Sequence, residues 1–62
     1  MNNLYLVTLN SNKHILIVAS DKGLVSDYCL PIMRFGEWIE DIEFIVVVGD
    51  DYHEDGEIIK KF

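Results

Sequence analysis

The sequence predicts a small α+β domain: a small antiparallel sheet with one helical layer. Two observations lead to this class. Three segments have the length and the β-branched and aromatic composition of strands, namely Leu4–Leu9, Ile15–Ala19 and Phe44–Val48. Between the second and the third lies a segment whose apolar residues recur with helical spacing. At 62 residues the chain holds one small domain, predicted to span 1–62.

The first two strands are predicted to form a β-hairpin. The link between them is Asn10–Lys13, and the second strand can begin at His14. Asparagine tolerates the backbone angles of tight turns, so a reversal here is favourable. Two apolar runs joined by four polar residues are typical of a hairpin.

A short helix is predicted to follow, from Lys22 to Leu30. Ser20 or Asp21 can cap its N-terminus by accepting backbone N–H bonds. Pro31 disfavours helical backbone at the residue before it, so the helix should end there. The apolar side chains on one stripe of this helix are Leu24, Val25, Tyr28 and Cys29.

Three further elements are predicted in the second half of the chain. Gly36–Ile42 fits a short amphipathic turn of helix, because its apolar and acidic residues fall on opposite sides at about 100° per residue. Glu43–Val48 is the third strand. Glu57–Phe62 can add a fourth strand at the edge of the sheet, where its lysines discourage further pairing.

The predicted strands are apolar on both faces, which a single helical layer cannot cover. A strand that is apolar throughout is usually buried on both sides, whereas a half-exposed strand alternates. A chain of this size buries only about 60 % of the surface that its unfolded form exposes. We therefore predict either a homodimer or an apolar face that a partner protein covers.

Cys29 is interpreted as a small buried hydrophobic residue, with a reactive or metal-binding thiol as the alternative. A lone cysteine cannot form an internal disulfide. Together with the absence of a signal peptide, it predicts a reducing, cytoplasmic setting. The apolar runs Ile15–Ala19 and Phe44–Val48 are far below the roughly 20 residues that span a bilayer, so no membrane contact is predicted.

Acidic residues are concentrated in the second half of a chain whose net charge is −6. Nine acids and no Lys or Arg lie between Gly36 and Ile59. Such a surface repels nucleic acid and anionic membranes and attracts a basic protein, although it can also serve only for solubility. Trp38, among these acids, fits either an interface anchor or the centre of the core. The residues predicted to bind a partner are Glu37, Trp38, Glu40, Asp41, Asp50, Asp51, Glu54 and Asp55.

No catalytic, cofactor or metal site is predicted. Asp50–Glu57 partly fits a calcium loop, but the position that must supply a bidentate carboxylate is Phe62. The two histidines, His14 and His53, lack the spacing of zinc ligands. The chain has no Gly-rich phosphate loop and offers little volume for a substrate pocket, so a non-enzyme is predicted.

Four segments resemble a loose group of very small, mostly uncharacterised phage-encoded accessory proteins: Asn3–Thr8, Lys13–His14, Val18–Asp21 and Ile42–Ile45. The resemblance implies a β-β-α-β order. It also implies a non-enzymatic inhibitor that binds a host protein in the host cytoplasm. The one-sided charge adds the hypothesis that the acids imitate the charge of nucleic acid on a basic partner surface. The alternatives are a structural homo-oligomer whose acidic face only provides solubility, and a binder of a metal or small ligand.

Overall fold

The computed structural model describes residues 1–62 and contains a four-stranded antiparallel sheet with one short helix. The strands lie in the order β3-β1-β2-β4, so the hairpin forms the centre and the later strands form both edges. This arrangement confirms the predicted α+β class and the fourth strand. The elements are β1 (Asn3–Leu9), β2 (His14–Ala19), α1 (Lys22–Cys29), a 3₁₀ turn (Leu30–Ile32), β3 (Ile39–Val47) and β4 (Ile58–Lys61).

The central hairpin positions the core. β1 and β2 pair from Asn3 opposite Ala19 to Thr8 opposite His14. The turn between them places Asn12 at a φ of 65°, a conformation that asparagine tolerates better than most residues. Because side chains alternate along a strand, every second residue of both strands points toward the helix.

The core lies between the hairpin and α1. Its buried members are Tyr5, Val7, Leu9, Ile15, Ile17, Ala19, Val25 and Cys29. Val7 and Ile17 on the strands and Val25 on the helix are fully buried, and burying such a side chain contributes about 1.5–3 kcal/mol. Cys29 is also fully buried, which confirms its interpretation as a small hydrophobic residue, and burial raises the pKa of its thiol.

The helix begins and ends close to the predicted residues. The Asp21 carboxylate caps it by accepting the Gly23 N–H at 3.1 Å. Beyond Cys29 the chain tightens into the 3₁₀ turn that contains Pro31, and the Met33 N–H donates to the Cys29 carbonyl at 3.1 Å. Proline has no backbone N–H to donate to a further α-helical hydrogen bond, so the α-helix ends before Pro31.

The helical turn predicted over Gly36–Ile42 is wrong, because β3 already begins at Ile39. Asp41 pairs with Thr8 and Ile39 with Leu9, which leaves Glu40 as the extra residue of a β-bulge. The bulge brings Ile39 and Ile42 to the same side of the strand, where both are half-buried. Their i, i+3 spacing therefore imitates a helix although the backbone is extended.

The third strand leaves apolar surface uncovered in the single chain. Its apolar stretch Phe44–Val47 lies on an edge strand, and the four side chains are 42–52 % exposed. The eight-residue helix packs against both β2 and β3 but leaves these four side chains largely exposed. Trp38, just before β3, is 59 % exposed, so its interpretation as the centre of the core is wrong as well.

Candidate functional site

The sheet face opposite α1 carries no helix, and we call it the open face. Leu4, Leu6 and Leu16 lie on it half-buried, and Val46 is 48 % exposed. Its remaining members, identified by strand alternation and register, are Thr8, His14, Val18, Asp41, Glu43 and Lys60. Of these, Val18 is fully buried. An apolar centre of this kind on a small domain is typical of a surface that another molecule covers.

The register aligns the open face in cross-strand rows. One row runs from Glu43 on β3 through Leu6 and Leu16 to Lys60 on β4. Opposite charges therefore stand at the two ends of a row whose centre is apolar. Neither Glu43 nor Lys60 forms an ion pair within the chain, because three strand spacings of about 4.8 Å separate them.

A second row continues the open face toward the hairpin turn. Asp41 is opposite Thr8, and the Thr8 Oγ1 lies 3.3 Å from Nδ1 of His14. The Phe62 ring packs beside His14 with a centroid distance of 5.1 Å. Lys60 Nζ lies 5.3 Å from the centre of the same ring, a cation–π contact that holds the Lys60 side chain over β4.

The outer edge of β3 is a second surface, which we call the β3 edge. β3 pairs with β1 only, so the outward N–H and C=O groups of its nine residues have no partner strand. Register shifts at Glu40 and Ile45 limit the regular stretch to Asp41–Phe44. Bulges and charged residues are common means of protecting an edge from uncontrolled pairing.

Trp38 is held at the start of the β3 edge by the side chain of Asn10. The Trp38 N–H donates to Oδ1 of Asn10 at 2.9 Å, and the Asn10 N–H donates to the Trp38 carbonyl at 3.0 Å. The Asn10 side chain also donates to the Gly36 carbonyl at 3.1 Å. The backbone of Trp38 is thus fixed while its indole stays largely exposed.

The structure divides the predicted partner-binding residues into two groups at opposite ends of β3. From Asp41 to the end of β3 at Val47, residue steps of about 3.3 Å put the groups about 20 Å apart or more. A single contact with both groups would need a partner of that length. The groups are Glu37, Trp38, Glu40 and Asp41 before or on β3, and Asp50, Asp51, Glu54 and Asp55 after it.

Glu37 is engaged within the chain rather than free for a partner. Its carboxylate accepts the Arg34 N–H at 2.7 Å and the Ser11 hydroxyl at 2.8 Å, and Lys13 Nζ lies at 3.9 Å. The Arg34 N–H above all, followed by the Ser11 hydroxyl, lowers the pKa of Glu37. Only 11 % of the side chain is exposed. Glu37 therefore ties the segment before β3 to the hairpin turn.

Asp50 and Asp55 also hold the fold. Asp50 accepts the Asn2 N–H at 2.9 Å, and Asp55 accepts both the N–H and the hydroxyl of Ser20 at 2.9 and 3.0 Å. The Ser20 N–H is the main cause of the lowered pKa of Asp55, while the neighbouring Asp55 raises the pKa of the Tyr28 hydroxyl. These two acids fasten the loop between β3 and β4 to the rest of the chain.

The remaining predicted acids are free of such contacts. Glu40, Asp41, Asp51 and Glu54 are exposed, and none forms an ion pair. Glu43, which was not among the predicted partner-binding residues, is equally exposed and lies with Asp41 on β3. Glu43 already opened the predicted third strand, but its exposure depends on the edge position of β3, which the sequence does not show.

Positive charge collects around a cleft of ≈ 320 Å³ at the hairpin-turn end. Three of the five Lys and Arg residues line it, namely Lys13, Arg34 and Lys61. The only acid in the lining is Glu37. Because Ile39 and Asp41 pair with Leu9 and Thr8, this cleft and the start of β3 lie at the same end of the sheet.

No group of three or more His, Cys, Asp and Glu side chains is arranged to hold a metal ion. His53 instead pairs with Glu57, with Nδ1 3.1 Å from the carboxylate, and this contact lowers the pKa of Glu57. None of the helices has both the length and the apolar composition that crossing a bilayer requires.

No known protein family, curated protein or solved structure matches this chain. The resemblance to phage-encoded accessory proteins stays a prediction.

Proposed function

We propose that this protein is a non-enzymatic binding module whose β3 edge receives an extended basic segment of a partner protein. The observation that carries the proposal is an unpaired edge strand with exposed apolar residues and free acids on the same nine residues. Main-chain groups of such an edge can add a further strand, while side chains select its sequence.

The charges of β3 favour a basic strand over a second β3. Glu43 is the middle residue of Ile39–Val47, so antiparallel pairing of two β3 edges about their centre would place Glu43 opposite its own copy. Like charges directly opposite each other on neighbouring strands are destabilising. A lysine or arginine in that position converts the repulsion into attraction.

Two exposed aromatic residues supply apolar contacts for this edge. Trp38 is 59 % exposed at the start of β3, and Phe44 is 52 % exposed near its centre, with its ring edge-on to buried Tyr5 at 6.0 Å. Tryptophan in particular is enriched among the residues that dominate binding energies. The acids around these rings add specificity and faster association.

The role that we propose for this contact is stoichiometric inhibition, in which the acids occupy a basic surface that otherwise binds nucleic acid. The excess of negative charge supports this role, since free acids on β3 present the same sign of charge as a phosphate backbone.

Titration with a synthetic peptide of alternating valine and lysine tests the proposal. Trp38 is the only tryptophan, so its fluorescence reports contact at the start of β3. We expect saturable binding that weakens with added salt, and at least about fivefold weaker binding of the Glu40→Gln/Asp41→Asn variant. The matched control, Asp27→Asn/Asp51→Asn, removes the same charge away from β3 and should bind nearly as well as the wild type.

Equal weakening in both variants would mean that only net charge attracts the peptide, and it would refute a site on the β3 edge. Binding of a valine–glutamate peptide with the same affinity would refute the charge argument. A Phe44→Ala variant, which leaves the charge unchanged, should also bind less tightly because an apolar contact is removed.

A further inference from the structure

We infer that a second copy of this chain packs on the open face, with a twofold axis parallel to the strands. The two copies form a sandwich of two sheets, and the β3 edge of each lies over β4 of the other. The inference does not rest on the proposed function, because it is argued from the open face rather than from the β3 edge. The outward backbone of β3 stays available in such a dimer.

The row from Glu43 to Lys60 makes the open face complementary to itself. A twofold axis parallel to the strands reverses the order of the strands but keeps the position along them. It therefore places Glu43 of one copy over Lys60 of the other, twice in each dimer. The same rotation places Leu6 over Leu16, so the apolar centre of each row meets its counterpart.

The other twofold axis that keeps the strands aligned is unfavourable. An axis in the plane of contact but perpendicular to the strands places β3 over β3 and β4 over β4. If this perpendicular axis passes through the row from Glu43 to Lys60, Glu43 faces its own copy and Lys60 faces its own copy. Like charges brought together at an interface oppose association, so the charges select the first arrangement.

The neighbouring row limits the contact. It carries Leu4 between Val46 on β3 and Val18 on β2. Val18 is fully buried within the single chain, so its side chain offers no surface to a second copy. Val46, 48 % exposed, lies at the border of the paired surface.

The dimensions suit a sandwich of modest stability. Packed sheets lie about 10 Å apart with their strands within about 30° of each other, a gap that the long side chains of glutamate and lysine can bridge. The face measures about 19 Å across four strands and about 20 Å along six residues. That area, roughly 400 Å² per copy, is below the usual size of a specific interface, so we expect a weak dimer with a dissociation constant of roughly 100 µM.

Charge exchange with measurement of the solution mass by sedimentation equilibrium tests this arrangement. Glu43→Lys and Lys60→Glu should each raise the dimer dissociation constant about tenfold or more, because each places like charges in contact. An equimolar mixture of the two variants should form a heterodimer, since each lysine then meets a glutamate. The double variant Glu43→Lys/Lys60→Glu should dimerise nearly as well as the wild type.

Matched controls separate this pattern from an effect of net charge. Asp27→Lys and Lys22→Glu make the same charge changes on the exposed side of α1, away from the open face. Both should dimerise like the wild type. Far-UV circular dichroism establishes that each variant is folded before its mass is interpreted.

Three results would overturn the inference. The first is a wild-type chain that stays monomeric up to about 1 mM, well above the range expected for a small interface. The second is a dimer that neither exchange at Glu43 or Lys60 weakens, which would locate the contact elsewhere. The third is loss of the dimer in both variants without recovery in the mixture, which would refute the axis parallel to the strands.

Discussion

Two valines on neighbouring strands give a direct test of which sheet face is covered. Val7 on β1 is fully buried against the helix, whereas Val46 on β3 is 48 % exposed on the open face. Val→Ala removes the same two carbons at each site. At Val7 we expect a loss of about 2.5 kcal/mol, from about 0.8 kcal/mol per buried carbon and the cavity left behind. At Val46 we expect less than about 1 kcal/mol, because water fills the vacated space.

Urea unfolding followed by circular dichroism measures both values. The chain is expected to have an unfolding free energy of about 3–9 kcal/mol, so the change at Val7 removes a large share of it. With a slope near 1 kcal/mol/M, the midpoint should fall by about 2.5 M for Val7→Ala and by less than about 1 M for Val46→Ala. The measurement is made near 5 µM, where association through a small interface contributes little.

Equal losses for the two variants at low concentration would refute the reasoning, since they would show that Val46 is covered within a single chain. If the open face pairs with a second copy, the loss at Val46 should grow when the protein concentration is raised, because the dimer buries this side chain. The loss at Val7 should stay nearly constant, which makes this variant the internal control.

Three further predictions concern single side chains. Hydrogen bonds from the Arg34 N–H and then the Ser11 hydroxyl lower the pKa of Glu37. The stabilising effect of this carboxylate is therefore present above about pH 4.3 and is lost as the pH falls through the folded-state pKa. Glu37→Gln should flatten the acid limb of a pH–stability curve, and an unchanged limb would contradict this. Burial raises the pKa of the Cys29 thiol, so a thiol reagent should react only as fast as the chain unfolds; reaction as fast as with an unfolded peptide would contradict burial. Gly36 has a φ of 87° with open space around it, so an alanine there should lower stability by about 1 kcal/mol and an asparagine by less, as thermal unfolding can measure.

Local sequence patterns were sufficient for the hairpin, the helix and the last strand. Asn12 in the turn, Asp21 at the helix cap and Pro31 after the helix each act within a few residues of the chain, so their effects can be inferred without tertiary contacts. Lys60 and Lys61 likewise lie in an edge strand, as predicted. The start of β3 was missed because a bulge at Glu40 imitates helical spacing, and a bulge depends on the strand opposite.

The partner-binding residues were predicted from charge alone, and charge alone cannot show which acids are already engaged. Glu37, Asp50 and Asp55 accept hydrogen bonds from residues 3 to 48 positions away in the chain. The sequence places Trp38 among acids, but its exposure depends on the hydrogen bonds that join its backbone to the side chain and the N–H of Asn10.

The sequence by itself determined that this chain is one small α+β domain with more apolar strand surface than one helix can cover. That conclusion follows from composition and periodicity, which are local properties. Only the tertiary structure decided that β1 and β2 take the centre, that β3 lies at an edge, and that Glu43 and Lys60 end the same row. Strand order and register depend on contacts between distant residues, and a register shift of one residue would move every side chain to the other face.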